Sequence, residues 1–279
     1  MVNLHRREDI PVKSGMSLQD HFYRYLDAEL AVNDSQRYEA HRLRYDVYCE
    51  ERGYEDPEKF PDGLEVDVYD DNSVHALVRH RFSNLVAGVV RLVFTDQSEP
   101  EKPLPIEYYC GDSFDHSILD RFDFSRTGIA EVSRFAVSNQ FINRVGNDGL
   151  GHPSDKWTGQ VQDDPSQYLP HISLGLIAML FVASAQHRIT HWYAVMEPSL
   201  HRLLGRSGIV FTSIGPVVNY HGRRQPMIAS VSDLLSNVYD KRYEFFRLID
   251  DLGGVPADFV PDLRGKAVAR SADRLISVS

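Results

Sequence analysis

The stretch AEVSRFAV, residues 130–137, sets Glu131 and Arg134 among Ala130, Val132, Phe135, Ala136 and Val137, in what alternation reads as a buried strand. Unpaired charge is costly there. A carboxylate held partly out of water has its pKa raised toward neutrality, which suits a general base, and a neighbouring arginine opposes that rise. The plain alternative is a structural ion pair at a strand end. One regular strand would put Glu131 and Arg134 on opposite faces, because their spacing is odd, so a bulge between them is expected to bring both to one side. Three more stretches mix charge with apolar residues: RYDVYCEERGY from Arg44 to Tyr54, EVDVYDD from Glu65 to Asp71, and GVVRL from Gly88 to Leu92, which holds Arg91. The signs of Arg44, Asp67, Asp70, Arg91 and Arg134 permit mutual compensation, and an arginine fork can also clamp a carboxylate. Asp67 and Asp70 read equally as turn residues that start a strand.

The chain around these residues has 279 residues, 42% of them hydrophobic and 25% charged, which is ordinary for a soluble domain with a sizeable core. Its net charge of -10 argues against a general nucleic-acid binder. Cys49 and Cys110 stand in no paired-spacing motif, so neither a disulfide framework nor a zinc site is suggested, and a reducing cytoplasm fits. The N-terminus holds no apolar run that could serve as a signal-peptide core. Ile172–Ala185, the longest apolar stretch, is short for a bilayer crossing and reads as a buried helix, with contact to a membrane surface left open. HRITH, His187 to His191, spaces two histidines by four but offers no third ligand, so no metal is expected. No partner histidine is placed for Cys49 as a covalent nucleophile.

Strand-like and helix-like segments alternate, an α/β or α+β layout. The first strand is read at Leu26–Val32, and Asn33, Asp34 or Ser35 caps a helix from about Gln36 to Arg52, ended by Gly53. VHALVRHRF and LVAGVVRLVF form a hairpin, and AEVSRFAV follows. Residues 139–167, rich in Gly, Asn, Asp and Gln, read as a long loop or insertion. A helix at Tyr168–His187, a strand at Trp192–Met196, a short helix at Pro198–Arg206 and two strands around HGRRQP come next. Ser232 caps a final helix to about Leu252. Residues 1–23 are thus an extension, 24–252 the domain, and 253–279 a polar tail. Leu176, Met179, Leu180 and Val182 could line an apolar tunnel or be plain core.

This order resembles that of the GNAT acyltransferase fold, a mixed, mostly antiparallel sheet flanked by helices. R-x-x-V-aromatic with E-x-x-G-aromatic, D-x-Y-D, G-x-x-R-L and E-x-S-R-F, all in register, resemble the signature of the acyl-homoserine-lactone synthases and the related long-chain N-acyl amino acid synthases. GPVVNYHGRRQP, Gly215 to Pro226, and the 139–167 segment look most like the acyltransferases of bacterial PEP-CTERM/exosortase systems. Tyr54 stands where the lactone synthases carry Trp. The glycine-rich pyrophosphate loop of coenzyme-A-using relatives is absent in clean form, RVGNDG being an off-spacing echo.

The resemblance implies acyl transfer from acyl carrier protein, or acyl-CoA, to a small-molecule amine, with no tightly bound cofactor. Glu131 is then the base, acting with Arg134. Arg44, Tyr48, Tyr54, Asp67, Asp70, Arg91, Ser133 and Phe135 are the substrate-binding residues, one of the three arginines clamping an acceptor carboxylate. Docking of an acidic carrier protein to an acidic chain requires a basic patch, for which Arg144, Lys156, Arg188, Arg202, Arg206, Arg223 and Arg224 are candidates. Three functions compete: an N-acyltransferase acting on an amino-acid-like acceptor, a lactone synthase using S-adenosylmethionine, and a carrier-docking or acyl-binding module without turnover.

Overall fold

In the computed structural model, residues 17–148, 168–219 and 222–261 are described. In chain order the helices are α1 (Leu18–Tyr25), α2 (Asp34–Tyr45), α3 (Pro105–Cys110), α4 (His116–Leu119), α5 (Asn139–Asp148), α6 (Tyr168–His187), α7 (Pro198–Gly205), α8 (Val231–Lys241) and α9 (Tyr243–Asp251). The strands are β1 (Leu26–Leu30), β2 (Ser73–His80), β3 (Val86–Phe94), β4 (Ile129–Val137), β5 (His191–Met196), β6 (Thr212–Ser213), β7 (Val218–Asn219) and β8 (Arg223–Ser230). The sheet order is β1-β2-β3-β4-β5-β8-β6, with β7 paired to β8. Every pairing is antiparallel except β4 with β5. This is the mixed, mostly antiparallel sheet between helices expected from the sequence.

Alternation along the strands divides the core between two faces. Ala76, Val78, Leu92, Trp192 and Ala194 pack with α1, α6, α8 and α9, whereas Leu77, Val89 and Ala136 meet Ala40, Leu43 and Val47 of the α2 segment. Beside these, Val93, Ile129, Tyr193 and Ile228 cover Leu104, Ile106 and Cys110 at α3. The helix α6 is long and apolar enough to cross a membrane by length and composition, yet its residues are largely spent on the sheet, as a central core helix requires.

Several local readings change. Residues 18–25, around the end of the expected extension, form α1, which drives Leu18, Phe22 and Tyr25 into the core. Residues 139–148 are helical rather than loop. The Ser138 hydroxyl accepts from the Phe141 N–H at 3.1 Å and starts α5, and Phe141 is buried, so a short apolar contact outweighs the polar composition. The rest of that segment, 149–167, and the tail beyond 261 lie outside the described residues. The helix after Asn33 is regular only to Tyr45 and continues as a π-helical turn, Asp46–Glu51, before Gly53 at φ +61°. A π turn inserts a residue and re-aims the side chains that follow, which here include Tyr48. The C-terminal helix is two helices: Ser230, not Ser232, caps α8, and Arg242 at φ −148° breaks the path before α9.

Gly208, φ +88°, ends the α7 corner with the space of a would-be Cβ only 2.8 Å from the backbone of Asn237 and Val238. Gly253, φ +85°, meets nothing within 4 Å. Both need the left-handed region, but only Gly208 adds a clash with backbone that cannot rotate away. Gly208→Ala is therefore expected to cost about 1–3 kcal/mol more than Gly253→Ala in denaturant unfolding. Equal losses would mean that α8 yields at this contact.

Candidate active site

The fold assembles the site at the only parallel pairing in the described sheet. Between β4 and β5 the register runs from Ile129↔His191 to Val132↔Ala194 and stops, so Ser133–Val137 part from the end of β5. On the other edge of β4, Val89 pairs with Ala136 and Arg91 with Ser133, which leaves Arg134 and Phe135 opposite Val90 alone. This is a β-bulge. Arg134 sits in it at φ +50°, a left-handed conformation that costs a non-glycine residue free energy and has to be offset by its contacts. The expected bulge thus exists, with Arg134 inside it, and Glu131 and Arg134 face one cavity of about 830 Å³.

That cavity has two ends. The polar end carries Glu55, Glu65, Asp67, Arg91, Glu131 and Arg134, with Tyr48, Tyr54, Tyr69 and Tyr109 around it. The apolar end is lined by Ile177 and Leu180 of α6, Trp192, Ala194 and Met196 of β5, and Leu200 and Leu204 of α7. Glu131 belongs to the α3 face of the sheet and Trp192 and Ala194 to the α6 face, so the space passes through the sheet where β4 and β5 part. Of the four α6 residues considered for a tunnel, Leu180 lines it; Leu176, Met179 and Val182 are core.

Three arginines and four carboxylates form a buried charge network, with Glu55 at its edge 3.8 Å from Arg134. Arg44 donates from Nε to Glu65 at 2.5 Å and from Nη1 and Nη2 to Asp70 at 2.6 and 3.1 Å. Arg91 grips Asp67 with two bonds, 2.6 and 3.0 Å, reaches Asp70 at 2.7 Å, and donates to the Ser133 hydroxyl at 3.1 Å. Arg134 donates to Glu65 at 2.9 Å and to Asp67 at 3.2 Å. Burial pushes the Glu65 carboxyl up, but Arg44 and Arg134 together overcome it and hold the pKa down to about 2. Asp70 is held far below the carboxylate range: burial opposes this, and the guanidinium groups of Arg44 and Arg91 outweigh it.

This network corrects one expectation. Arg44 and Arg91 are 0% and 1% exposed and are engaged by the protein's own carboxylates, so neither offers an open fork to clamp an acceptor carboxylate; Arg134, 17% exposed, is bonded through Nε and Nη2 and lines the cavity. Arg44 and Asp70 do not line the cavity; they hold the residues that do. Tyr48, Tyr54, Asp67, Arg91, Glu131, Ser133, Arg134 and Phe135 all reach it. Asp67, 25% exposed, is the most open carboxylate of the network. The Arg134 guanidinium lies 5.3 Å over the Tyr48 ring and Arg224 lies 5.7 Å over Tyr54, which makes an aromatic wall. Of the proposed basic patch, Arg224 is a wall residue, while Arg188, Arg202, Arg206 and Arg223 are exposed. The side chain of Arg144 and all of Lys156 lie outside the described residues.

Glu131 stands apart from the network. It is 4% exposed, and its carboxylate accepts a hydrogen bond from the Ile106 N–H at 2.6 Å. Burial pushes its pKa up to about 8, against the pull of that N–H and of Arg91 and Arg134. Near neutral pH it therefore exchanges a proton readily, unlike Glu65 and Asp70, which stay ionised as structural anions. Sequence reasoning missed Glu55, Glu65 and the α7 leucines. His41, Asp70 and His75 bring ligand-type atoms within 4.8 Å of one another, but Asp70 and the His75 Nε2 are already engaged by Arg44, whose charge opposes a cation there.

Residues 43–151 match the family described as Acetyltransferase (GNAT) domain. Among curated proteins none matches the sequence. The chain resembles TofI, solved in a ternary complex with an inhibitor and MTA, with TM-score 0.51 and 18% identity over 76% of this chain and 95% of that one. It resembles the AHL synthase LasI with TM-score 0.50 and 18% identity over 77% and 95% of the two chains. For the CoA-dependent acyl-homoserine lactone synthase BjaI with MTA the values are 0.50 and 22% over 84% and 90%. At these identities the likenesses show the fold. The domain match adds the class: the chain carries an acyltransferase domain of the GNAT fold.

Proposed function

We propose that the protein is an N-acyltransferase that moves a fatty acyl group from a thioester on acyl carrier protein to the amine of an amino-acid-like acceptor. The observation that carries this is the single cavity joining Glu131 and Asp67 to an apolar chamber through the opening between β4 and β5. The acyl chain occupies the chamber beside Leu180, Trp192 and Leu204, and its thioester carbon lies at the opening. Asp67 holds the acceptor ammonium, and Glu131 takes one of its protons, directly or through a water. The nitrogen attacks the carbonyl carbon, the C–N bond forms, the C–S bond breaks, and the second ammonium proton leaves with the thiol. No protein group passes through a covalent intermediate.

The lactone-synthase reading shares every step up to the amide, and the likeness to LasI and BjaI keeps it in view. S-adenosylmethionine adds an adenine and a sulfonium that need a larger aromatic wall, whereas Tyr54 offers a smaller face than a Trp. The narrower placement among PEP-CTERM/exosortase-associated acyltransferases rests on the sequence of Gly215–Pro226 together with the 139–167 segment and belongs to the proposal, as does a cytoplasmic location. Long-chain acyl carrier protein and acyl-CoA are each incubated with amino acids and with S-adenosylmethionine, and products are read by mass. N-acyl amino acid from the carrier-protein donor is expected, and none from S-adenosylmethionine. Release of methylthioadenosine with an acyl lactone would replace the assignment by a lactone synthase, and equal use of acyl-CoA would remove the carrier protein from it.

A further inference from the structure

His75 lies on β2 directly opposite Arg91 of β3, on the face that carries the charge network, and is 3% exposed. Its Nε2 is 2.8 Å from Arg44 Nη1 and 3.2 Å from Asp70 Oδ1. A guanidinium has only donors, so at the shorter contact the imidazole nitrogen must accept. An accepting Nε2 makes the ring neutral, with its proton on Nδ1, and leaves the longer 3.2 Å approach to Asp70 Oδ1 without a shared proton; the opposite tautomer would donate to Asp70 and give up the shorter contact. The His41 ring, 5.1 Å away and edge-on, brings no anion. Burial also pushes the His75 pKa down to about 4, against the pull of Asp70.

From His75 a continuous series of bonds leads to the cavity. Arg44, held by His75, grips Asp70; Asp70 accepts from Arg91 and, at 2.8 Å, from the backbone N–H of Asp67; and Arg91 grips the Asp67 carboxylate. Each member of this series is hydrogen-bonded to the next, and the last of them is Asp67. We propose that His75 is a positioning residue: a neutral hydrogen-bond acceptor that completes the donor set of Arg44 and, through Arg44, Asp70 and Arg91, sets Asp67 where it meets the ammonium of the acceptor. The role at the acceptor rests on the function proposed above; the state of His75 does not.

Two variants separate this from a filling role. The amide oxygen of His75→Gln can stand where Nε2 stands and accept from Arg44, whereas His75→Leu keeps bulk and leaves the Arg44 N–H unpaired in the core. For His75→Leu the KM for the amino-acid acceptor is expected to rise about tenfold, with the KM for the acyl donor unchanged. His75→Gln is expected to restore the acceptor KM to within about threefold of the parent. Isotope-edited NMR of the histidine ring nitrogens in the full chain is expected to show His75 with Nε2 unprotonated and the proton on Nδ1. Equal impairment of both variants, or a shift of the donor KM, would overturn the positioning role. If His75→Leu does not fold, the acceptor KM of His75→Gln decides the role, and a tenfold rise counts against it. A protonated Nε2 overturns the assignment without any turnover assay. A parent enzyme that acylates no amino acid sinks the proposed function and the acceptor role with it, and leaves the spectrum to judge the hydrogen bond.

Discussion

Glu131→Gln is expected to lower turnover ~10²–10⁴-fold while the protein keeps its fold and gains stability at alkaline pH. The amide matches the carboxyl in shape and can still accept from the Ile106 N–H, but it cannot take a proton from the acceptor. The pH dependence separates a base from a structural acid. With a folded pKa of about 8, against an ordinary 4.5, the folded state binds the extra proton over that interval. Protonated Glu131 therefore stabilises the fold fully below pH 4.5, and this contribution is lost as pH rises through about 8. The parent enzyme is expected to lose thermal stability over that window relative to Glu131→Gln, which has no such proton to lose. In the same interval kcat/KM of the parent should climb, with a midpoint near 8, because the reactive form is the ionised one. Parental turnover in the variant, or a rate that falls from pH 6 to 8, would make Glu131 structural.

Charge placed against hydrophobic alternation was the most legible signal in the sequence. Glu131 and Arg134 in AEVSRFAV, Arg91 in GVVRL, Asp67 and Asp70 in EVDVYDD and Arg44 before the first loop all converge, because each interrupts a pattern that burial would otherwise favour. The parity conflict in AEVSRFAV even implied the bulge, since two charged residues an odd step apart cannot share one face of a regular strand. What was not legible was who pairs with whom. An arginine available to a substrate and one saturated by Glu65 and Asp70 look the same in one dimension, so buried Arg44 and Arg91 stood as candidates for the clamp beside Arg134, which lines the cavity. Glu65 begins the same motif, but its partners lie 21 and 69 residues away, and only the folded sheet brings them together. His75 reads as one more residue of a buried strand, and its role exists only through Arg44. Helix boundaries failed where tertiary contacts overrode composition: Phe141 anchors a helix in an Asn- and Gln-rich run, and Arg242, bonded to the Ser207 hydroxyl at 3.0 Å, turns one amphipathic pattern into two helices.

Arg44→Met should be the most destabilising single substitution in the network, costing ~3–5 kcal/mol in denaturant unfolding. Methionine fills the volume of the arginine stem, so the loss isolates charge from packing. It strips Glu65 and Asp70 of three hydrogen bonds in a place where Arg44 is 0% and Glu65 1% exposed, and water cannot replace them. The comparison is Arg81→Met, which removes an ion pair to Asp27 at 3.0 Å whose partners are 43% and 51% exposed. That pair is worth less than ~1 kcal/mol. Neutralising the stranded acids tests the cause: Arg44→Met with Glu65→Gln and Asp70→Asn should recover much of the loss, which no packing defect would do. The pH response has the opposite sign to that of Glu131. Glu65 is depressed to about 2 in the parent, so its contribution is present above its ordinary 4.5 and is lost as pH falls toward 2. The gap between parent and Arg44→Met should therefore be widest near neutral pH and narrow below 4.5, as the stranded carboxyls take up protons. A gap that stays constant through that range, or an Arg44→Met protein as stable as Arg81→Met, would mean that Arg44 holds its place by shape and that the network around Asp67 is organised from elsewhere.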